Sequence, residues 1–342
     1  MTTGTLTSRT GVDQILADAL ERIQVKRSEI DEAKRRRELI AAALQSEFRG
    51  SRTYANGSVA HGDALTPLLD VDLGVVVPDP EHKYGPNGLD SFGLRERAAS
   101  AMRDALKAEF GELRVEVRGH KRSVLVRFND AVRPGWEDFT ADIIVAVDYP
   151  YGAGLYIPRH SSWDRSDPEA HTRMVVAAIR HTEISYARVV RLVKHWARQD
   201  DDPVLCSWHI KALALGSIIE PVDLLGGLIA WFEHAADELD RRDTPDPAGV
   251  GPDIKVPGGD RRAVAARLHA ATRQLHHVAA DAGWLALAHE QLANFFDDEQ
   301  MLPRPDRVKV IQEQTRRLSA ECAHGSARAT VAAAPAVRSW RP

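Results

Sequence analysis

Asp70-Val71-Asp72-Leu73-Gly74-Val75-Val76-Val77 sets two aspartates one residue apart inside an apolar run. The composition of the run predicts a β-strand, and on a strand residues i and i+2 leave the same face. Both carboxylates therefore share one face, while Val71, Leu73 and Val75 leave the other and can enter a core. Two adjacent carboxylates repel each other and lose hydration, so a folded chain needs a compensating charge beside them. Hard oxygen donors suit Mg²⁺ or Mn²⁺, ions that commonly bridge carboxylates to substrate phosphates. The pair thus points to metal-assisted nucleotidyl transfer.

The neighbouring sequence extends that reading. Gly57-Ser58 follows a predicted short strand and precedes Val59-Ala60-His61-Gly62, a candidate helix start. Glycine allows close approach of a phosphate, and a serine hydroxyl with free amides binds anions. A second metal needs a third carboxylate, and paired ions can stabilise both the attacking and the leaving oxygen. Asp142, at the edge of an apolar β-run, is the best candidate; Asp138 and Asp148 lie nearer the ends of that segment, where hydration is easy. Asp70, Asp72 and Asp142 are therefore the expected catalytic and metal-binding set, with Gly57 and Ser58 at the phosphate.

Bulk properties bound the class. The chain has 342 residues, 44% hydrophobic and 27% charged, with a formal charge of −4. This suits a globular protein of one large or two intimate domains that needs no disulfides. Its two cysteines, Cys206 and Cys322, have no metal-ligand spacing, and a reduced cytoplasmic protein is expected. No apolar stretch reaches membrane-spanning length and the N-terminus lacks a signal-peptide core, so no membrane partner is expected. The negative charge argues against a basic nucleic-acid coat but not against a nucleotide, whose phosphates a bound metal can neutralise.

Apolar periodicity predicts one long helix over 11–48, with Lys34-Arg35-Arg36-Arg37 on a solvated face. Strands are predicted over 52–56, 68–77, 113–118, 123–128 and 138–147, a helix over 92–109, and a loop over 79–88. After residue 160 the pattern turns helical, with helices over 168–181, 184–199, 207–219, 222–240, 261–282 and 285–296. The expected organisation is a catalytic core over 1–160, a helical lobe over 161–322 and a disordered tail from 323. Residues 241–260 read as a loop. Tyr54, Tyr151, Tyr156 and Trp163 are candidates for stacking on a base, against a packing role. His269, His276 and His277 read as core or surface histidines rather than metal ligands.

Asn56-Gly57-Ser58 followed by Leu69-Asp70-Val71-Asp72-Leu73 resembles the G-S…D-x-D signature of the DNA polymerase β-like nucleotidyltransferases. The run from Ile184 to Trp196, followed by Pro203-Val204-Leu205-Cys206-Ser207, is similar to the R-x-x-K-x-W…S pattern of the oligoadenylate synthetases, cyclic GMP-AMP synthase and the bacterial cGAS/DncV-like nucleotidyltransferases, the CD-NTases. The resemblance covers about residues 10–300. It implies an α+β fold: a polymerase β-like core of mixed sheet and helices, a helical C-terminal lobe, and a central cleft. It also implies two Mg²⁺ (or Mn²⁺) ions on Asp70, Asp72 and Asp142, and a triphosphate held by Ser58, Lys194 and Ser207. Arg188, Arg191 and Arg198 lie about one turn apart along the Lys194 helix and can extend a basic stripe. Ser207 is either an N-cap, a phosphate ligand or both.

The implied activity joins nucleoside triphosphates, ATP or GTP foremost and pyrimidines as alternatives, into a cyclic di- or trinucleotide. In bacterial members this second messenger switches on a partner effector in anti-phage defence (CBASS). Two features depart from relatives. Asp63 stands where many carry a small hydroxyl residue, which puts contact with the second base or ribose in doubt. The Cys/His zinc module of the animal DNA sensor is absent, which argues against activation by DNA. An RNA-end nucleotidyltransferase, a non-catalytic nucleotide-binding regulator and a small-substrate transferase remain open alternatives.

Overall fold

The computed structural model describes residues 3–88, 91–117, 122–159, 162–199 and 203–329. The opening segment forms β2 (Asp70–Val77), an inner strand of a seven-stranded mixed sheet. β1 (Arg52–Asn56) runs antiparallel to one edge of β2, and β5 (Thr140–Asp148) runs parallel to the other. β4 (Val124–Arg127) and β3 (Arg114–Glu116) continue the sheet, so the order is β1-β2-β5-β4-β3. β6 (Leu155–Pro158) pairs with the far end of β5, and β7 (Trp163–Ser166) with β6. The predicted 113–118 strand is realised as the short β3, and Arg118 lies outside the described residues.

Alternation along β2 works as its sequence demands. Val71, Leu73, Val75 and Val77 enter a core with Ile143 and Val145 of β5, covered by α2 (Arg27–Glu47) and α4 (Ser91–Leu106). The opposite face of β2 carries Asp70 and Asp72. Further along that face, Val76 joins Tyr54, Ala146, Leu155 and Ile157 in a small cluster. The fold class is therefore α+β: a mixed sheet with helices, followed by a helical C-terminal region.

That region comprises α5 (Pro168–His181), α6 (Ser185–Ala197), α7 (Ser207–Ser217), α8 (Leu224–Arg241), α9 (Arg261–Ala280) and α10 (Leu285–Phe296), close to the predicted spans. α11 (Arg307–Ala329) is an addition. It carries helix past residue 323, where the tail is expected to begin; residues 330–342 lie outside the described residues.

The expected single helix over 11–48 is corrected to two, α1 (Thr3–Arg22) and α2. Between them Gln24 bridges Leu65, and Glu29 accepts from the Lys26 backbone N–H at 3.3 Å to cap α2. The physical reason is that the two halves serve different cores. Val12, Leu16, Ala19 and Leu20 pack with the C-terminal helices, whereas Ala33, Ile40 and Leu44 pack on the sheet. The solvated reading of the basic run also fails at Arg36, which is buried. Its guanidinium lies over Phe110, Phe128 and Phe139 and pairs with Glu32 and Asp130, both at 2.8 Å.

Candidate functional site

A cleft of about 590 Å³ lies between the sheet and the C-terminal helices. Gly57, Ser58, Asp70, Asp72, Lys194 and Ser207 all line it, although they come from four separate stretches of chain. Six of the seven sequence-predicted site residues are thereby brought to one cavity.

The seventh, Asp142, stands one strand behind. Asp72 and Asp142 are register partners across the parallel β2–β5 pair, and Asp70 is opposite Thr140. Asp142 is half-buried and accepts from Ser123 Oγ at 3.1 Å. Among the described residues, no three His, Cys, Asp or Glu side chains are gathered closely enough to hold a metal ion. What the register produces instead is a local excess of negative charge. Burial, then the charges of Asp70 and Asp142, push the Asp72 carboxyl up to about 7. Burial and the Asp142 charge likewise raise Asp70, against the pull of Lys194. Uncompensated carboxylate oxygens on a cleft wall are the donor chemistry that a hard divalent cation takes.

Gly57 explains how the turn into α3 meets this pair. Asn56 pairs with Asp72 across β1–β2, and the chain then turns at Gly57 with φ +74° into α3 (Gly57–Ala60). A Cβ at Gly57 would stand 1.6 Å from Asp72 Oδ2, so only glycine lets the turn lie against that carboxylate.

On the opposite wall, Lys194 is buried, and its ammonium donates to Asp63 Oδ1 at 2.8 Å and Asp63 O at 2.9 Å. Burial lowers its pKa while Asp63 works to restore it. Of the basic stripe only Lys194 and Arg198 line the cleft; Arg188 and Arg191 do not. Ser207 is the first residue of α7. Cys206 occupies the capping position, so the exposed Ser207 hydroxyl is not the N-cap.

Several cleft residues carried no sequence signal. Lys211 and His61 enter the cleft beside Lys194, and Trp208 supplies an aromatic ring. The Trp208 ring lies against His171, tilted by 30° with 4.3 Å between ring centroids, and His171 Nε2 pairs with Asp246 at 2.6 Å. Asp246 also accepts from the Val250 and Gly251 amides, which ties the 246–255 loop to the cleft rim. By contrast Tyr54, Tyr151, Tyr156 and Trp163 do not line the cleft. Tyr54 lies over Gly74, Tyr151 is exposed, and Tyr156 and Trp163 pack on the sheet core. His269 and His276 make surface pairs with Asp240 and Glu233.

No family profile and no curated protein matches the chain by sequence. Solved structures match it over most of its length. The CD-NTase CdnG from Bradyrhizobium diazoefficiens, in complex with GTP, superposes with a TM-score of 0.63 at 14% identity, over 89% of this chain and 98% of that one. The chain has the CD-NTase fold. CdnC from E. coli MS115-1, solved with ATP, gives 0.59 at 17% identity over 85% and 97% of the two chains. The DncV cyclic AMP-GMP synthase of Vibrio cholerae gives 0.54 at 13% identity over 89% of each. The resemblance drawn from Gly57-Ser58, Asp70, Asp72, Lys194 and Ser207 thus agrees with the CD-NTase fold over most of the chain. Among the described residues no helix is long and apolar enough to cross a membrane.

Proposed function

We propose that this chain is a Mg²⁺- or Mn²⁺-dependent nucleotidyltransferase that joins nucleoside triphosphates into a cyclic di- or trinucleotide, a messenger for an effector in bacterial anti-phage signalling. One observation carries the reading: a cleft with Asp70 and Asp72 on one wall, backed by Asp142, faces Lys194, Arg198 and Ser207 on the other. Carboxylates that attract a cation, opposite ammonium, guanidinium and hydroxyl groups that attract phosphate, fit a metal-nucleotide complex. ATP and GTP bound in structurally similar proteins, CdnC and CdnG, support the substrate class.

Asp70 and Asp72 would hold the metal on the cleft wall, and Asp142, the register partner of Asp72, would turn from Ser123 to complete the set; the ion would supply activation of the attacking hydroxyl and charge for the leaving pyrophosphate. Ser58, Lys194 and Ser207 bind the triphosphate and fix the α-phosphate in front of the acids. Arg198 adds positive charge at the cleft edge. Trp208 offers an apolar face to a base. The linear intermediate then reorients in the same cleft before ring closure. Radiolabelled triphosphates incubated with Mg²⁺ or Mn²⁺, treated with phosphatase and chromatographed, test the proposal. Protected product from wild type and none from the Asp70→Asn/Asp72→Asn variant is expected. Equal product from both refutes the acid assignment.

A further inference from the structure

Asp63 is fully buried, with 0% of its surface exposed, and the chemistry proposed above does not use it. It leaves the turn after α3, where its amide donates to Ser58 O at 3.1 Å. Its carboxylate reaches two lysines of the opposite lobe. Oδ1 accepts from Lys194 of α6 at 2.8 Å, and Oδ2 lies 3.5 Å from the Lys211 ammonium of α7. Asp63 therefore ties the phosphate turn to both helices beneath the cleft floor.

The charges in this cluster do not balance. The Lys211 ammonium donates to His61 Nδ1 at 2.9 Å. An ammonium has no acceptor, so the proton of His61 sits on Nε2, which donates to Thr172 Oγ1 at 3.1 Å. Burial and the Lys211 charge hold the His61 pKa down to about 4, which keeps the ring neutral near pH 7. Two ammonium groups thus share the one carboxylate they touch, and both line the cleft opposite Asp70 and Asp72. Lys211 lines the same cleft as Asp70 and Asp72. Lys211 also stands one helical turn after Ser207, on the same face of α7.

We infer that Lys211 is a second polyphosphate-binding lysine of the cleft, and that Asp63 is the positioning residue that holds Lys194 and Lys211 together for that task. The inference rests on the nucleotidyltransferase reading and names a further part of its substrate site. Without the carboxylate, two neighbouring buried ammonium groups repel and turn apart. A purely structural ion pair would hold the lobes together but leave phosphate affinity unchanged in any variant that still folds.

The test uses full-length wild type, Lys211→Gln, Asp63→Asn and the double variant. Inorganic tripolyphosphate binding is measured by calorimetry near neutral pH without divalent ions, alongside KM and kcat for ATP and thermal unfolding. Lys211→Gln is expected to weaken tripolyphosphate binding about tenfold, the loss of one charge-assisted hydrogen bond. Asp63→Asn weakens it at least as much. The double variant matches Asp63→Asn alone, because Asp63 acts through Lys194 and Lys211 and its loss already releases both. KM rises in each variant while kcat changes less. Wild-type tripolyphosphate affinity in a folded Lys211→Gln or Asp63→Asn variant overturns the inference, as does a double variant whose loss is the product of the two single losses. If Asp63→Asn does not fold, Lys211→Gln decides. The two readings fail separately: Lys211-dependent tripolyphosphate binding with no cyclic product in any triphosphate mixture sinks the proposed function alone, and cyclic product with Lys211-independent binding sinks this inference alone.

Discussion

Two glycines allow the contact between the Gly57-Ser58 turn and the acid pair to be isolated. Gly57 and Gly62 both have positive φ, +74° and +65°. An alanine at either position meets the same left-handed backbone strain, about 1–2 kcal/mol. Beyond that they differ. A Cβ at Gly62 meets nothing within 4 Å, whereas one at Gly57 lies 1.6 Å from Asp72 Oδ2 and 2.9 Å from Asp72 Cβ. Turning the carboxylate can clear the oxygen but not the Cβ, so Gly57→Ala must displace β2 or the turn itself. That overpacking adds about 1–3 kcal/mol. Urea denaturation should give Gly62→Ala a loss of about 1–2 kcal/mol and Gly57→Ala a loss of about 2–5 kcal/mol. Triphosphate turnover should stay close to wild type in Gly62→Ala. It should fall about a hundredfold in Gly57→Ala, because a small displacement of a reacting group costs that much. Equal stability and equal turnover in the two variants would refute the claim that Gly57 is reserved for the Asp72 carboxylate.

Other outcomes are open to measurement. Arg36→Met should destabilise the chain by about 2 kcal/mol in chemical denaturation, through lost ring contacts and half-exposed ion pairs, with turnover unchanged at low temperature. Leu16→Ala should cost about 2–5 kcal/mol, as a core deletion, although α1 lies far from the C-terminal helices in sequence. A loss below about 0.5 kcal/mol would place α1 outside the helical core. His209 is buried against Thr244 Oγ1 at 2.7 Å, and burial lowers its pKa to about 4. Its folded pKa lies below the unfolded value, so the unfolded chain binds the extra proton between about pH 6.5 and 4. Its contribution to stability is complete above pH 6.5 and is lost as pH falls through that window, about 3 kcal/mol in all. Asp72 acts in the opposite sense, stabilising on protonation below about pH 7. The histidine term is therefore read as the difference between wild type and His209→Gln, whose stability should fall less steeply below pH 6.5; parallel curves would contradict it.

What the sequence discloses follows the range of the interactions involved. β2 was legible because the period-2 alternation of Val71, Leu73 and Val75 against Asp70 and Asp72 is a local property. The helices α5 to α10 were legible for the same reason, from their apolar periodicity. The α1–α2 break was not, since a 3.6-residue period continues across it and only the destination of each face changes. Ile23 enters the helical core, while Val25, two residues on, enters the sheet core. Arg36 reads as a surface residue until Phe110, Phe128 and Phe139 are folded around it. In the cleft, Ser58, Asp70 and Asp72 stand in a compact motif. Asp63 and Lys194 are 131 residues apart, and His61 and Lys211 are 150 apart, so nothing local marks either pair. Asp142 is intermediate: its place on an apolar strand was legible, and its register with Asp72 emerged only from the parallel β2–β5 pairing.

In the proposed function, acids from two neighbouring strands jointly take a divalent cation beneath a nucleotide's phosphates. The most direct measurement is anomalous scattering from crystals grown with Mn²⁺ and a non-hydrolysable ATP analogue. Manganese peaks are expected within coordination distance of Asp70, Asp72 and Asp142, with the analogue's phosphates reaching Ser58, Lys194 and Ser207. Manganese bound elsewhere, or an Asp142 carboxylate still turned to Ser123 and remote from every metal peak, would contradict it.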